Sequence, residues 1–314
     1  MKVLRGHSGL PQDDRGAVIA LGNFDGVHMG HRHVIGLAAE LAQSLDAPLG
    51  AALFDPHPRR FFAPDAPAFR LMGTGRRNRI LESLGVQQLH VLPFSMAMAR
   101  MTPADFVDTV LAGGLGIAGI VTGEDFRFGA GRTGATDDLA RLCAGHGIKT
   151  AFAELHGNGA DKVSSTRIRK AIHDGDMQAA ATLLGTPWAV EGVVRRGDQR
   201  GRTIGFPTAN LTLGDYVRPD YGVYAVRVGI DGDTPSLAGV ANIGKRPTVD
   251  GATELLEVHL LDWSGDLYGR TLEVEFFDHL RSEKQFDGLD ALKVQIVEDA
   301  AAARRVLSAL SGPA

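Results

Sequence analysis

The feature that most constrains this chain is a change of period along it. Up to about residue 185, short apolar runs alternate with helix patterns. Residues 18–22, 49–54, 89–94, 117–122 and 149–155 are the runs. Helical spacing follows at 31–45, with Val34, Leu37, Ala38, Leu41 and Leu45 on one face, and again at 75–84, 136–144 and 166–184, the last broken near Gly175. Thr102, Pro103 and Asp105 mark another helix start, with a cap, a proline in the first turn and a carboxylate that can close a capping box. Five apolar runs alternating with helices predict an α/β domain, a parallel sheet covered on both faces. From residue 188 to 280 the pattern is strand after strand, at 188–195, 221–230, 237–243, 255–262 and 271–277, with Asp231-Gly232 as a hairpin signal. Closely spaced antiparallel strands predict a small β-barrel. A terminal helix follows, with Leu289, Leu292, Ile296, Ala300, Ala303 and Leu307 on one face. The boundary falls at Gly185-Thr186-Pro187, giving domains 1–185 and 186–314.

The composition sets outer limits. A length of 314 residues favours two domains. A net charge of −4 supplies no global basic field for nucleic acid. The single cysteine, Cys143, rules out a disulfide framework and a cysteine-built zinc site, and fits a cytoplasmic protein. No apolar run is long enough to span a membrane, and no signal peptide is expected.

Three glycine-rich stretches mimic phosphate motifs and fail on context. Gly114 to Gly119 precedes its strand, and Gly129 to Gly134 is separated from its strand by five residues, so neither offers the tight strand–helix turn of a dinucleotide site. Gly239 to Lys245 is followed by Arg246 and Pro247, where a P-loop needs a hydroxyl and a helix start.

Residues 22–31 read Gly-Asn-Phe-Asp-Gly-Val-His-Met-Gly-His. His28 and His31 thus stand between the first strand and the first helix, at the edge where parallel sheets bind ligands. A helix N-terminus offers free N–H groups to a phosphate, Gly26 and Gly30 allow close approach, and two imidazoles add donors. A solvated helix-start loop, or a metal site completed by His33, are the alternatives.

This segment resembles the HxGH signature of nucleotidylyltransferases, in the form found in prokaryotic bifunctional riboflavin kinase/FMN adenylyltransferases (FAD synthetases). Phe54-Asp55-Pro56-His57-Pro58, residues 123–129 and Ser164-Ser165-Thr166-Arg167-Ile168-Arg169 match further family motifs in order, although Asp55 stands where a glutamate is expected and Arg32 where a glutamine is common. The resemblance implies a Rossmann-like nucleotidylyltransferase domain in which His28 and His31 contact ATP phosphates and Ser164, Thr166 and Arg167 close over them. Asn23, Phe24, Gly26 and Asp125 would belong to the same nucleotide site, with turn chemistry as the alternative for Asn23 and Asp125. In adenylyl transfer the attacking phosphate of FMN is already anionic, so the site needs alignment and charge neutralisation rather than a base.

The second half holds Gly201-Arg202-Thr203-Ile204-Gly205-Phe206-Pro207-Thr208-Ala209-Asn210, which resembles the riboflavin kinase signature. Thr208 and Asn210 carry neutral oxygens two residues apart, suited to Mg²⁺ that also takes ATP phosphates. Gly201, Arg202, Gly205 and Pro207 are the expected companions around ATP and flavin. An ordinary glycine-rich turn is the alternative. Glu257 lies in an otherwise apolar strand, in a Glu-Val-His run like the family's ExH. Riboflavin's primary alcohol is a poor nucleophile at neutral pH, and a positioned carboxylate can accept its proton. Glu257 is therefore the expected general base, an outward strand residue being the bland reading. The resemblance covers nearly the whole chain and predicts an enzyme that uses ATP and Mg²⁺ to turn riboflavin into FMN and FMN into FAD. Retention of one activity only, a non-catalytic flavin-binding regulator and, least favoured, an oxidoreductase are the competing readings.

Overall fold

The computed structural model describes residues 1–154, 163–197, 204–248 and 251–310. Gly201 and Arg202, and Leu155 at the end of the fifth apolar run, lie outside them. The chain divides into two compact units, Met1–Pro67 with Arg77–Ser164, and Ala68–Arg76 with Ser165–Ala314.

The first unit is a six-stranded parallel sheet. Its strands are β1 (Lys2–Arg5), β2 (Val18–Leu21), β3 (Leu49–Asp55), β4 (Gln88–Pro93), β5 (Gly119–Gly123) and β6 (Lys149–Ala153). Their order is β1-β4-β3-β2-β5-β6. Ile19, Leu21, Ala52, Leu92 and Ile120 turn one face toward a core shared with Phe106, Val110, Leu111, Leu139 and Cys143. Helix α1 (Met29–Ser44) covers β2 and β5 on the other face, where the missing side chain of Gly119 admits Leu41. The deepest residues of α1 are Ile35, Ala38 and Ala42. The expected Val34, Leu37, Leu41 and Leu45 are half-buried beside them, because the helix presents a broad apolar surface and not a narrow stripe.

Four shorter helices complete the connections: α2 (Pro58–Phe62), α3 (Thr74–Ser83), α4 (Met96–Ala99) and α5 (Pro103–Asp105). Thr102 caps α5 with Asp105 closing the box, as the sequence predicts. The chain then continues as a π-helix, Phe106–Leu115, which ends at left-handed Gly116. Its terminal carbonyls are taken by Arg15, which donates to Ala112, Gly113 and Gly114. The Gly114 to Gly119 stretch is therefore a helix stop and a strand start. Helix α6 (Thr136–Ala144) precedes β6.

The second unit opens with α7 (Ser165–His173) and α8 (Met177–Leu184), broken at residues 174–176 as the sequence suggests. Six strands follow: β7 (Trp188–Val193), β8 (Ala209–Leu211), β9 (Gly222–Ile230), β10 (Leu237–Thr248), β11 (Gly251–Leu260) and β12 (Thr271–Ser282). They form an antiparallel sheet in the order β7-β12-β9-β10-β11-β8. The sheet curls until its end strands meet, where Arg195 N–H donates to the Asn210 carbonyl at 2.9 Å. Asp231 and Gly232, at φ 52° and 96°, open the β9–β10 connection, but Leu237 pairs with Val228 and the loop runs longer than a two-residue turn. The mimic Gly239 to Lys245 is continuous strand within β10.

Trp188, Tyr224 and Phe276 fill the barrel, and the Trp188 indole N–H donates to the Leu71 carbonyl at 2.9 Å. Buried Arg76 pairs with Glu273, and with Glu275 at 2.8 Å. Helix α9 (Leu289–Ala309) packs Ala300, Ala303 and Leu307 against the barrel. Leu289 departs from expectation: it is the first residue of the helix, 62% exposed, ahead of the turn that meets the barrel wall.

Candidate active sites

In the first sheet, β2 leads outward to β3 and β4, and β5 leads the other way to β6. The loops that leave β2 and β5 therefore part at the carboxyl edge and open a crevice. Residues 22–28 form the loop after β2. Phe24 and Val27 adopt positive φ, 50° and 40°, alongside Gly26 at 91°. Such backbone costs an L-residue energy, most of all a β-branched one, and it persists here because both side chains are fully buried.

The bend delivers His28 to the N-cap of α1. Its Nδ1 accepts the His31 backbone N–H at 3.3 Å, so the neutral ring carries its proton on Nε2. The His28 and His31 rings stack at 3.7 Å, and Phe24 meets His31 edge-on at 5.3 Å. A Cβ on Gly30 would lie 3.3 Å from the His28 ring and 3.8 Å from the Val163 carbonyl oxygen. Glycine there leaves the His28 ring seated. Burial, and then the charge of the adjacent His28, hold His31 well below the usual histidine pKa. The His31 Nδ1 and Asn23 Oδ1 are buried without a hydrogen-bond partner among the described residues. Beside a helix N-terminus, a protonated His31 Nδ1 can donate to an anionic ligand, and Asn23 Oδ1 can accept from an N–H or O–H group of the same ligand.

Asp125 is exposed on the loop after β5, across the switch point. Ser164, half-buried, ends the first unit, while Thr166 and Arg167 are exposed in the first turn of α7 in the second. The structure thus gathers Asn23, Phe24, Gly26, His28 and His31 at one loop and helix start, and places Thr166 and Arg167 in the other unit. Sequence reasoning missed an aromatic row at the same strand edge. Phe61 and Phe62 pack on Phe94, Phe94 on Phe54, Phe54 on Phe106, Phe106 on Phe128, and Phe128 stacks with Phe126. Phe62 is 63% exposed. These rings come from four separate stretches, so no local pattern announces them.

In the second unit, register does the assembling. Glu257 on β11 lies opposite Asn210 on β8 and opposite Asn242 on β10, so its carboxylate stands between two amides on one face of the sheet. These three residues and Thr208 line a cavity of about 420 Å³. Its far wall includes Arg281, Phe286 and, on α9, Leu292, Ile296 and Asp299. Buried Asp299 takes two hydrogen bonds from Arg281, at 2.9 and 2.7 Å. Thr208 also borders a second cavity of about 500 Å³, walled by Val194, Leu260, Trp263 and Tyr268. Thr208 is thus the hinge residue between two pockets. A Cβ on Gly197 would fall within 2.6–2.8 Å of the Asn210 amide atoms, so backbone approaches that amide closely. Gly205, at φ 93°, and Pro207 are exposed on the irregular segment leading to Thr208. No group of three or more His, Cys, Asp or Glu among the described residues is placed to hold a metal ion.

The FAD synthetase family profile matches residues 10–167, and the riboflavin kinase profile matches residues 184–307. A bifunctional riboflavin kinase/FMN adenylyltransferase of Escherichia coli K12 is 41% identical over 305 residues, covering 97% of each chain. One from Bacillus subtilis 168 is 36% identical over 310 residues, covering 97% of this chain and 96% of its own. A crystal structure described as a macrolide-efflux protein from Streptococcus pneumoniae superposes with a TM-score of 0.85 at 32% identity, covering 97% of this chain and 99% of that one. No helix among the described residues of this chain is long and apolar enough to cross a membrane.

Proposed function

The chain belongs to the bifunctional riboflavin kinase/FMN adenylyltransferase family, and from that premise we propose that its barrel unit phosphorylates riboflavin to FMN and its parallel-sheet unit joins FMN to the AMP of ATP, giving FAD and pyrophosphate. The observation that carries the division is the contrast in donors. One site gathers stacked histidines at a helix N-terminus, and the other sets a carboxylate between two amides.

In the first unit, the phosphates of ATP lie against the start of α1. The Nε2–H of His28 and the ring of His31 donate to phosphate oxygens, and Asn23 Oδ1 gains a partner from the nucleotide. Arriving phosphate charge lets His31 take up a proton that burial otherwise denies it. The FMN phosphate attacks the α-phosphorus, the bond to pyrophosphate breaks, and the cations left at the helix start neutralise the departing charge. Exposed Phe62, at the end of the row of phenylalanines, offers an apolar ring to the flavin. Asp125 orients nucleotide or flavin from the opposite loop. Ser164, Thr166 and Arg167 are assigned to the nucleotide by sequence alone.

In the barrel, riboflavin occupies the cavity closed by α9, and ATP the neighbouring one beside Trp263 and Tyr268. Glu257 accepts the proton of the ribityl hydroxyl as its oxygen bonds to the γ-phosphorus and the γ-phosphorus bond to ADP breaks, and the Asn242 and Asn210 amides hold the carboxylate in place. Thr208 and Asn210 offer neutral oxygens on one face, which fits a hard divalent cation whose remaining ligands are phosphate oxygens. Magnesium bound there would neutralise the triphosphate. Gly201 and Arg202 are assigned to the same nucleotide by sequence alone. A buried, unpaired Cys143 accords with a cytoplasmic setting.

The test is incubation of the chain with riboflavin, ATP and magnesium, followed by separation of the flavins. FMN and then FAD are expected. Absence of both would sink the reading.

A further inference from the structure

The β8–β11 ladder stops one residue short of the site it serves. Its last pair is Ala209 with Val258, and Thr208, the hinge residue between the two cavities, lies just beyond. The ladder cannot extend through residue 207, because proline has no N–H to donate. Among the described residues, the Thr208 carbonyl accepts one long hydrogen bond, from the Asn210 side-chain Nδ2 at 3.4 Å.

A side chain takes over where the backbone pairing ends. His259 sits two residues beyond Glu257 on the same face of β11, and its Nδ1 lies 2.8 Å from the Pro207 carbonyl oxygen. A carbonyl only accepts, so Nδ1 carries the proton. The Phe206 ring stands edge-on to the imidazole at 5.6 Å and fixes its plane. His259 also lines the Glu257 cavity.

From this geometry we propose that His259 is a positioning residue for riboflavin phosphorylation: its Nδ1–H pins the Pro207 carbonyl just beyond the end of the ladder, and so holds in place the segment whose Thr208 and Asn210 oxygens would take a nucleotide-bound magnesium ion. The proposal rests on the kinase reading of the barrel. His259 touches neither the hydroxyl nor the phosphorus that react; it acts through the segment that carries Thr208.

The test compares His259→Asn, whose amide keeps a donor near the Nδ1 position, with His259→Phe, which keeps only the ring. In His259→Phe, the magnesium and ATP concentrations needed for half-maximal FMN formation rise about five- to tenfold, the loss of one hydrogen bond. The value of kcat at saturation changes less, and His259→Asn recovers most of the loss. Calorimetric titration with ADP and magnesium gives a readout without turnover: the binding event that survives in His31→Ala weakens by the same factor in His259→Phe. Conversion of supplied FMN to FAD is unchanged and reports folding of the first unit, while a thermal unfolding profile like that of the unaltered chain reports folding of the barrel. Should either variant fold poorly, nitrogen NMR of the unaltered chain decides, with His259 assigned by its ring-proton contacts to Phe206. A protonated Nδ1 is expected. An unprotonated Nδ1, an unchanged magnesium requirement, or an asparagine variant as impaired as the phenylalanine one would overturn the proposal and leave the kinase reading standing. Failure of the unaltered chain to make FMN would remove both.

Discussion

The loop after β2 and the β8–β11 ladder present polar atoms to a ligand by different means. The loop spends backbone strain: two buried non-glycine residues in left-handed conformation turn the chain so that one histidine caps a helix and stacks on another. The ladder needs no strain, since register alone sets Asn210 and Asn242 on either side of Glu257. The chemistry assigned to each follows the same division. An anion that is already charged needs positive, directional donors, and an alcohol needs somewhere for its proton to go.

The sharpest way to break the comparison is Glu257→Gln. Removal of a general base predicts a loss of about 10²- to 10⁴-fold in riboflavin phosphorylation, measured as FMN formed, with FAD formation from supplied FMN intact. A variant that loses both reactions while still folded contradicts separate sites. Next comes His31→Ala, which should lower FAD formation by about 10²-fold or more while leaving FMN formation unchanged, as expected for loss of a preorganised phosphate donor. Phe62→Ala is a smaller perturbation. Loss of one aromatic contact, about 1 kcal/mol, should raise KM for FMN in the adenylyl step several-fold without altering KM for riboflavin in the kinase step. Equal shifts in both would remove this flavin contact from the first unit.

The smallest effect concerns stability. His31 is neutral in the folded chain because burial, and then His28, lower its pKa, so below about pH 6.5 the unfolded chain binds the proton and the folded one resists it. His90, pushed down by burial to about 4, has the same sign. Their contributions are complete above about pH 6.5 and decline as the pH falls, His90's being lost by about 4, with a slope of at most about 1.4 kcal/mol per pH unit for each group. Urea unfolding of the native chain and His31→Gln between about pH 7.5 and 5 should show a shallower slope in the variant. A steeper one would mean that His31 is charged when folded.

Long, periodic elements were legible in the sequence, and short or non-local ones were not. The capping box at Thr102, the break near Gly175 and the five strands β2 to β6 of the parallel sheet carry local signals. Strand β1 buries only Leu4, so no alternation marks it. Strand β8 has three residues and exists because β11 pairs with it. The membership of residues 68–76 in the barrel unit depends on Trp188 reaching the Leu71 carbonyl and on Arg76 meeting Glu273 and Glu275, contacts more than a hundred residues apart in sequence. The same holds for the sites. His28 and His31 share one helix turn and stand out as a motif. The flanking of Glu257 by Asn242, the aromatic row and the bond from His259 to Pro207 depend on register and packing.

The proposal of two separate sites, with FMN released between them, makes one measurement decisive. Glu257→Gln alone should make no FAD from riboflavin, ATP and magnesium, and His31→Ala alone should stop at FMN. Mixed in one vessel, the two variants should restore FAD, because FMN made by the barrel of one chain serves the histidine loop of the other. If the mixture yields no FAD while each variant keeps its own single activity, two independent sites cannot be the explanation.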